Sequence, residues 1–325
     1  MEWEMFTMEF MQRAWLAGLV VAVICPLIGS FLVVRHQSMI GDGLGHIAFA
    51  GVAGGALMGV QPVLAAAVVT VLGAAVIEKV RTRMRDYADM ILAIFFYSGM
   101  GLAVVLTGLN HTGSFNLSSF LFGSLMTVSS EDLLIVAILG LFACLFVVLM
   151  YRPLQYLAYD EVSAKVAGLP TDTLNLLLSV MAALTVALSM RIVGILLVSA
   201  MMVIPVACAL QTAKSFAGTI MGGIAYGLVS VVAGLILSYY ANLAPGGTIV
   251  LVGTACFILN LAVKLRTPRR PNPEELSPKA CHICAEYREL EKEHQACEKC
   301  QHADCAIGAK TFTGSEVSAK EHQSK

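Results

Sequence analysis

Charged residues are scarce in this 325-residue chain: they make up 13% of it, whereas a water-soluble domain carries about 25%. Apolar residues account for 58%, and the mean hydropathy is +0.78. This balance excludes a water-soluble globular domain as the main body of the chain. Because helices satisfy their own backbone hydrogen bonds in lipid, it predicts an all-α, polytopic membrane protein.

Two motifs of enzyme chemistry are also absent from the sequence. No G-x-x-x-x-G-K-[ST] phosphate loop occurs, so we do not expect the chain to hydrolyse ATP by that route. No H-E-x-x-H occurs either, which counts against an intramembrane metalloenzyme with a catalytic zinc. The chain is therefore not expected to be an enzyme.

Apolar runs of about 20 residues, the length that crosses a bilayer, predict about nine membrane spans. The alternative count is eight, with the first or second run lying differently. The runs lie near 14–34, 41–60, 62–79, 90–109, 131–151, 172–190, 193–213, 217–239 and 247–264. If the loop at 80–89 is cytoplasmic, only Arg13 and Arg191 of the basic residues up to position 270 lie outside. Basic loops stay on the cytoplasmic side, so we expect the N-terminus outside and the C-terminus inside.

The spans divide the chain into five parts. Residues 1–13 are predicted to be an external N-terminal segment, and residues 14–266 a transmembrane domain. A Pro-rich linker follows at 267–280, then a small cytoplasmic tail rich in Cys and His at 281–305. Residues 306–325 are expected to be disordered.

Two segments between spans are not predicted to cross the membrane. Residues 111–132 are polar and rich in Gly and Ser, so an external or re-entrant half-helix is expected. Residues 160–168 have an acidic first turn and a Gly-Leu-Pro stop, which predict a short cytoplasmic helix. Such a helix can also be a connector without a further role.

Asp42 interrupts an apolar stretch, and His46 follows it four residues later. An ionisable residue at membrane depth is costly, so it usually serves an ion or substrate pathway. This spacing puts both side chains on one helical face, where an oxygen and a nitrogen ligand suit zinc, manganese or ferrous iron. The pair predicts a path for a divalent metal ion. The alternative is that Asp42 caps the helix and His46 bonds a neighbour.

Small residues occupy the opposite side of the same helix. Gly51, Gly55 and Gly59 recur every four residues there. Such a stripe lets another membrane helix approach closely, since packing joins helices in lipid. We therefore predict that one face of this helix packs in the bundle and the other faces a lumen.

Cysteines are concentrated in the tail. Cys281 and Cys284 form one C-x-x-C pair, and Cys297 and Cys300 form a second pair twelve residues further on. This spacing favours a tetrahedral four-thiolate zinc site, and a cytoplasmic location argues against disulfides. A redox dithiol and a passive tail are the alternatives.

Four longer motifs occur in order along nearly all of residues 10–265. They are GDGLGHIAFAG at 41–51, DEVSAKVAGLP at 160–170, GILLVSAMMVIPVACAL at 194–210 and NLAPGGTIVLVG at 242–253. Together they resemble the membrane permease of metal-type ABC importers. That family takes up zinc, manganese or iron and is related to the cobalamin and siderophore permeases.

The resemblance implies a type II ABC importer-like fold in a bacterial plasma membrane. It also implies a homodimer that works with cytoplasmic ATP-binding subunits and an extracytoplasmic metal-binding protein, and no nucleic acid partner. Asp42 and His46 would line the metal path. A coupling helix near 158–169 would sit in a groove of the ATPase. The residues assigned to that helix are Asp160, Glu161, Ala164 and Gly168.

The favoured function is ATP-driven import of a divalent metal ion, with zinc ahead of manganese or iron. Two Asp and two His from a dimer would satisfy a four-coordinate zinc, although added waters would serve manganese equally. One alternative is a permease for a metal chelate of siderophore or cobalamin type. Another is a secondary metal transporter in which Asp42 carries the driving ion.

Overall fold

The structure, a computed structural model, describes residues 9–84, 87–109, 121, 123, 130–241 and 243–266. Eleven helices and no strand occur in those ranges. The helices are α1 (Glu9–Val34), α2 (Ile40–Met58), α3 (Pro62–Arg83), α4 (Ala88–Leu109), α5 (Ser130–Leu149), α6 (Tyr151–Tyr159), α7 (Glu161–Val166), α8 (Thr171–Val193), α9 (Ile195–Thr212), α10 (Phe216–Ala241) and α11 (Pro245–Arg266).

Eight of these helices are individually long and apolar enough to cross a bilayer, namely α1 to α4 and α8 to α11. The remaining predicted span, near 131–151, corresponds to α5, and α6 follows it at an angle of 73°. Counting that bent pair as one span gives nine. The predicted all-α, multi-pass fold is confirmed. Whether eight or nine spans are counted depends on α5 and α6 and not on the first or second apolar run, since α1 and α2 are both long and apolar enough to span.

Glycine and proline mark several helix ends. Gly59 ends α2 in the left-handed conformation, with φ at 67°, and Pro62 begins α3. Glycine takes this conformation without a steric penalty, and proline at the first position loses no helical hydrogen bond. The short break between them makes α2 and α3 neighbours in the bundle.

The centre of the bundle is formed by α1, α2, α8 and α9. Phe31 of α1, Leu44 of α2 and Met181 of α8 are among the largest fully buried side chains. α2 contacts α3, α4, α8 and α9, whereas α1 contacts α5, α9 and α10. Large exposed apolar side chains, such as Leu72 of α3 and Leu251 of α11, suit contact with lipid.

Two glycines of α2 let α3 approach closely. A Cβ built on Gly51 would lie 2.8 Å from the Ala66 Cα, and one built on Gly55 would lie 2.6 Å from the Ala65 Cβ. Gly59 differs from the predicted stripe, because no atom lies within 4 Å of a Cβ built there. The chain leaves the helix at Gly59, so this glycine serves the turn and not the helix contact.

Several predicted segments lie outside the described residues. These segments are 1–8 of the N-terminal segment, the linker at 267–280, the tail at 281–305, the C-terminus at 306–325 and most of 111–132. Within 111–132, the described residue Leu121 packs against a hydrophobic cluster that includes Ala48 and Met190. Gly123 lies against the backbone of Val193.

Replacing Gly55 with Ala should destabilise the bundle by about 1–3 kcal/mol, because the added methyl group would overlap with Ala65. Gly54→Ala is the matched control: it gains the same helix propensity, and its Cβ would meet only Leu106, at 3.7 Å. Thermal unfolding of the detergent-purified protein measures both changes. Equal melting temperatures for the two variants would contradict the close approach of α3.

Candidate functional site

Asp42 and His46 lie in the first two turns of α2, and both residues are half-buried. Their spacing puts them on the same face of the helix. Met39, and not Asp42, is the N-cap residue, and no side chain caps this helix. Asp42 still lies in the first turn, where the positive end of the helix dipole favours a carboxylate. The alternative hypothesis, that Asp42 caps this helix, is therefore wrong.

The imidazole of His46 is packed against α4. It makes an edge-to-face contact with Phe96, with ring centroids 4.4 Å apart and an interplanar angle of 74°. α4 comes this close because Gly99 faces the backbone of α2, where a Cβ would lie 3.0 Å from the Ile47 nitrogen.

One ring nitrogen of His46, Nδ1, is buried and makes no hydrogen bond with any of the residues that the structure describes. An unsatisfied buried nitrogen is costly and calls for an explanation. A ligand ion is one group that could satisfy it.

Phe96 and Gly99 were not among the predicted site residues. They are three positions apart on α4 and so share a helical face, but only the packing of α4 on α2 brings them to His46. The sequence FFYSGMG at 95–101 carries one signal, two glycines that follow large aromatic side chains.

A single copy of the chain brings two candidate ligands together. Across the described ranges, no group of three or more His, Cys, Asp or Glu side chains could hold a metal ion. Protein zinc sites usually have about four ligands, and octahedral manganese sites have about six. Asp42 and His46 of one copy therefore leave most of the coordination shell to other groups.

The segment 160–168 contains the short helix α7. Asp160 is its N-cap: the carboxylate accepts hydrogen bonds from the Ser163 hydroxyl at 2.5 Å and the Val162 amide at 2.9 Å. The hydroxyl of Ser163, followed by the amides of Ser163 and Val162, holds the pKa of Asp160 below its usual value. The carboxylate is therefore charged at neutral pH. Gly168, with φ at 81°, follows the helix.

α7 has an inner and an outer face. Ala164 is fully buried, whereas Val162 and Val166 are 64% and 84% exposed. These valines are one turn apart, and Tyr156 and Tyr159 of the preceding helix are also exposed. Val162 and Val166 therefore give α7 an exposed apolar face, and such faces are common at protein-docking surfaces.

The predicted zinc ligands of the tail lie outside the described residues. They are Cys281, Cys284, Cys297 and Cys300. The four-thiolate zinc site therefore stays a prediction from the sequence.

The family model of the ABC 3 transport family matches residues 7–264. The chain belongs to this family. Since the match ends before the linker, the Cys- and His-rich tail lies beyond the part shared with the ABC 3 family.

Three relatives are similar over most of their own length. A probable metal transport system membrane protein of Treponema pallidum is 36% identical over 261 residues, which cover 80% of this chain and 97% of the relative. The manganese transport system membrane protein MntC of Halalkalibacterium halodurans is 31% identical, over 79% of this chain and 88% of the relative. The high-affinity zinc uptake system membrane protein ZnuB of Haemophilus influenzae is 30% identical, over 78% of this chain and 97% of the relative.

A solved structure supports the same assignment. PsaBC from Streptococcus pneumoniae in complex with Fab superimposes with a TM-score of 0.71 and 27% identity, over 85% of this chain and 96% of that chain. The predicted resemblance to metal-type ABC permeases is confirmed, and the chain is a multi-pass membrane protein. The relatives name both manganese and zinc, so they do not decide between these ions.

Proposed function

We propose that this ABC 3 protein is the permease subunit of an ATP-driven importer for a divalent metal ion, with zinc favoured over manganese and iron. The observation that carries the proposal is the pair Asp42 and His46 on one half-buried face of α2. A carboxylate oxygen and an imidazole nitrogen are suitable ligands for these ions. Ionisable side chains inside a membrane bundle are costly and are usually functional.

Two copies of the chain are proposed to share the metal path. Asp42 and His46 from each copy, arranged around a two-fold axis, would supply four ligands. A transported ion must also be released, so a site divided between two copies suits transport better than a closed cage.

For zinc, the favoured cargo, four ligands of this kind would complete a tetrahedral shell without further groups. Manganese, the ion named for the MntC relative, would need added water molecules to reach an octahedral shell. The two ions can therefore be distinguished by competition in an uptake assay.

ATP-binding subunits are proposed to dock on the outer face of α7. The chain has no phosphate loop of its own, so hydrolysis must take place on a partner. Val162 and Val166 offer an apolar docking surface, and the Asp160 cap holds the start of the helix. Metal would arrive from an extracytoplasmic metal-binding protein on the opposite side of the membrane.

The proposed orientation has the N-terminus outside and the C-terminus in the cytoplasm. Basic residues occupy the last turns of α3 and α11, and they are Arg81, Arg83, Lys264 and Arg266. Clusters of this sign are retained on the cytoplasmic side of a membrane. α7 and the Cys-rich tail would then face the ATP-binding subunits.

Asp42→Asn and His46→Ala should each lower metal uptake by about tenfold or more, because even indirect partners of a bound metal change its affinity on this scale. Asn keeps the size of the side chain and removes its charge, and Ala removes the ring nitrogen. Uptake is measured by elemental analysis of cells that lack other importers.

Expression and association with the ATP-binding subunit should be unchanged in both variants, since these residues serve the path. If both variants transport at the wild-type rate, the metal path lies elsewhere.

Excess manganese should compete poorly with zinc in the wild type, and strong competition would reverse the proposed cargo preference.

Val162→Asp combined with Val166→Asp should abolish uptake and co-purification of the ATP-binding subunit, because the charges would have to be desolvated in the docked complex. Val162→Leu combined with Val166→Leu is the matched control, which keeps the surface apolar and should retain both properties. Normal co-purification of the Asp variant would remove α7 as the docking site.

A peptide of residues 275–310 should bind one zinc ion through Cys281, Cys284, Cys297 and Cys300 and gain order on binding, because metal binding and folding are coupled in such small units. Cobalt substitution should give the absorption of a tetrahedral thiolate site. Zinc binding that survives replacement of all four cysteines by serine would contradict this site.

A further inference from the structure

Four charged side chains from three parts of the fold lie close together beside α7. This charge cluster consists of Arg35, Glu78, Arg81 and Glu161. Arg35 follows α1, Glu78 and Arg81 belong to the end of α3, and Glu161 is the first residue of α7. A small cavity of about 150 Å³ is lined by both Arg81 and Glu161. None of the four belongs to the Asp42 and His46 pair.

Glu161 connects α7 to two other elements. Its Oε2 lies 3.6 Å from Nη2 of Arg35, whose side chain is only 6% exposed. Its Oε1 accepts a hydrogen bond from the Asn175 amide of α8 at 3.3 Å. Both carboxylate oxygens of Glu161 therefore bind groups of the membrane bundle.

Glu78 and Arg81 form the second half of the charge cluster. Arg81 donates to both oxygens of Glu78, at 2.6 and 3.2 Å, and the Ser179 hydroxyl donates to one of them at 3.1 Å. The Glu78 side chain is 3% exposed. With its amide oxygen turned towards Arg81, Gln37 accepts hydrogen bonds from the same guanidinium, so the segment between α1 and α2 contacts both ion pairs.

The charges of the cluster balance one another. Burial, followed by the proximity of Arg81, lowers the pKa of Arg35 to about 10, while Glu161 and Glu78 oppose this shift. Arg35 is therefore protonated at neutral pH. Loss of either carboxylate would leave two largely buried guanidinium groups with a single counter-charge.

The segment between α1 and α2 is short and internally bonded. The Gln37 amide donates to the Leu32 carbonyl at 2.9 Å, and the Ile40 amide donates to the Gln37 carbonyl at 3.1 Å. Asp42 lies two residues beyond Ile40, in the first turn of α2. A displacement of Arg35 would therefore be transmitted to the start of α2.

We propose that Glu161 and Arg35 are positioning residues that link the motion of α7 to Asp42, an inference that rests on the proposed function. When the ATP-binding subunits move α7, the pair moves the segment between α1 and α2 and reorients the first turn of α2. Ion pairs removed from water often add little net stability, so a purely stabilising role is weak grounds for this pair, in which Arg35 is 6% and Glu161 26% exposed.

The test uses the full-length permease purified with its ATP-binding subunit and reconstituted in vesicles with its metal-binding protein. The measured quantity is the number of metal ions transported per ATP hydrolysed. Arg35→Gln and Glu161→Gln should each lower this ratio by about tenfold, the scale at which indirect partners of a metal act. ATP hydrolysis should continue in Arg35→Gln, because Arg35 lies outside the docking helix. Glu161→Gln keeps an oxygen for the Asn175 bond, so it is the milder change.

Two further variants separate positioning from structural support. Arg35→Lys keeps the positive charge, and Arg35→Glu combined with Glu161→Arg restores an opposite pair, so both should recover much of the ratio. A merely structural role would lower melting temperature and yield but leave the ratio unchanged, and that result overturns the inference. Absence of ATP-driven uptake in the wild type would instead overturn the proposed function and this inference with it.

Discussion

The hydrocarbon core of a bilayer offers no water for hydrogen bonding, so each polar group buried there needs a protein partner or a ligand. Most of the polar side chains in the described helices obey this constraint locally. Ser30, Thr70 and Thr185 donate to carbonyl groups one turn earlier in their own helices. Glu78 is bonded by Arg81 and Ser179 instead. Nδ1 of His46 is one of the few exceptions, which makes this residue a candidate ligand.

The position of α2 follows from close packing on two sides. Gly51 and Gly55 let α3 approach one side, and Gly99 lets α4 approach the backbone at His46. Helices in lipid gain little from apolar burial against one another, so such close contacts carry much of the association. Because both neighbours fix the rotation of α2, they also fix the direction of Asp42 and His46.

The ABC 3 fold separates the candidate metal path from the surface that a partner can reach. α7 has exposed valines on one side and Glu161 bonded into the bundle on the other. Beside it, Arg35 after α1 and Asn175 of α8 bind Glu161, and Ser179 of α8 binds Glu78 of α3. Buried charges tolerate little separation from their partners, so these elements are expected to move together.

The all-α class, the approximate positions of the spans and the short helix at 160–168 were predictable from the sequence. Each depends on local properties: the length of an apolar run, an acidic cap and a glycine stop. The i to i+4 placement of Asp42 and His46 is local as well. The turn at Gly59, the 73° bend between α5 and α6, the ring of Phe96 on His46 and the pairing of Arg35 with Glu161 came only from the tertiary structure. The contacts of Phe96 and Arg35 join residues distant in the chain, and helical periodicity records which face a side chain occupies but not which helix packs against that face.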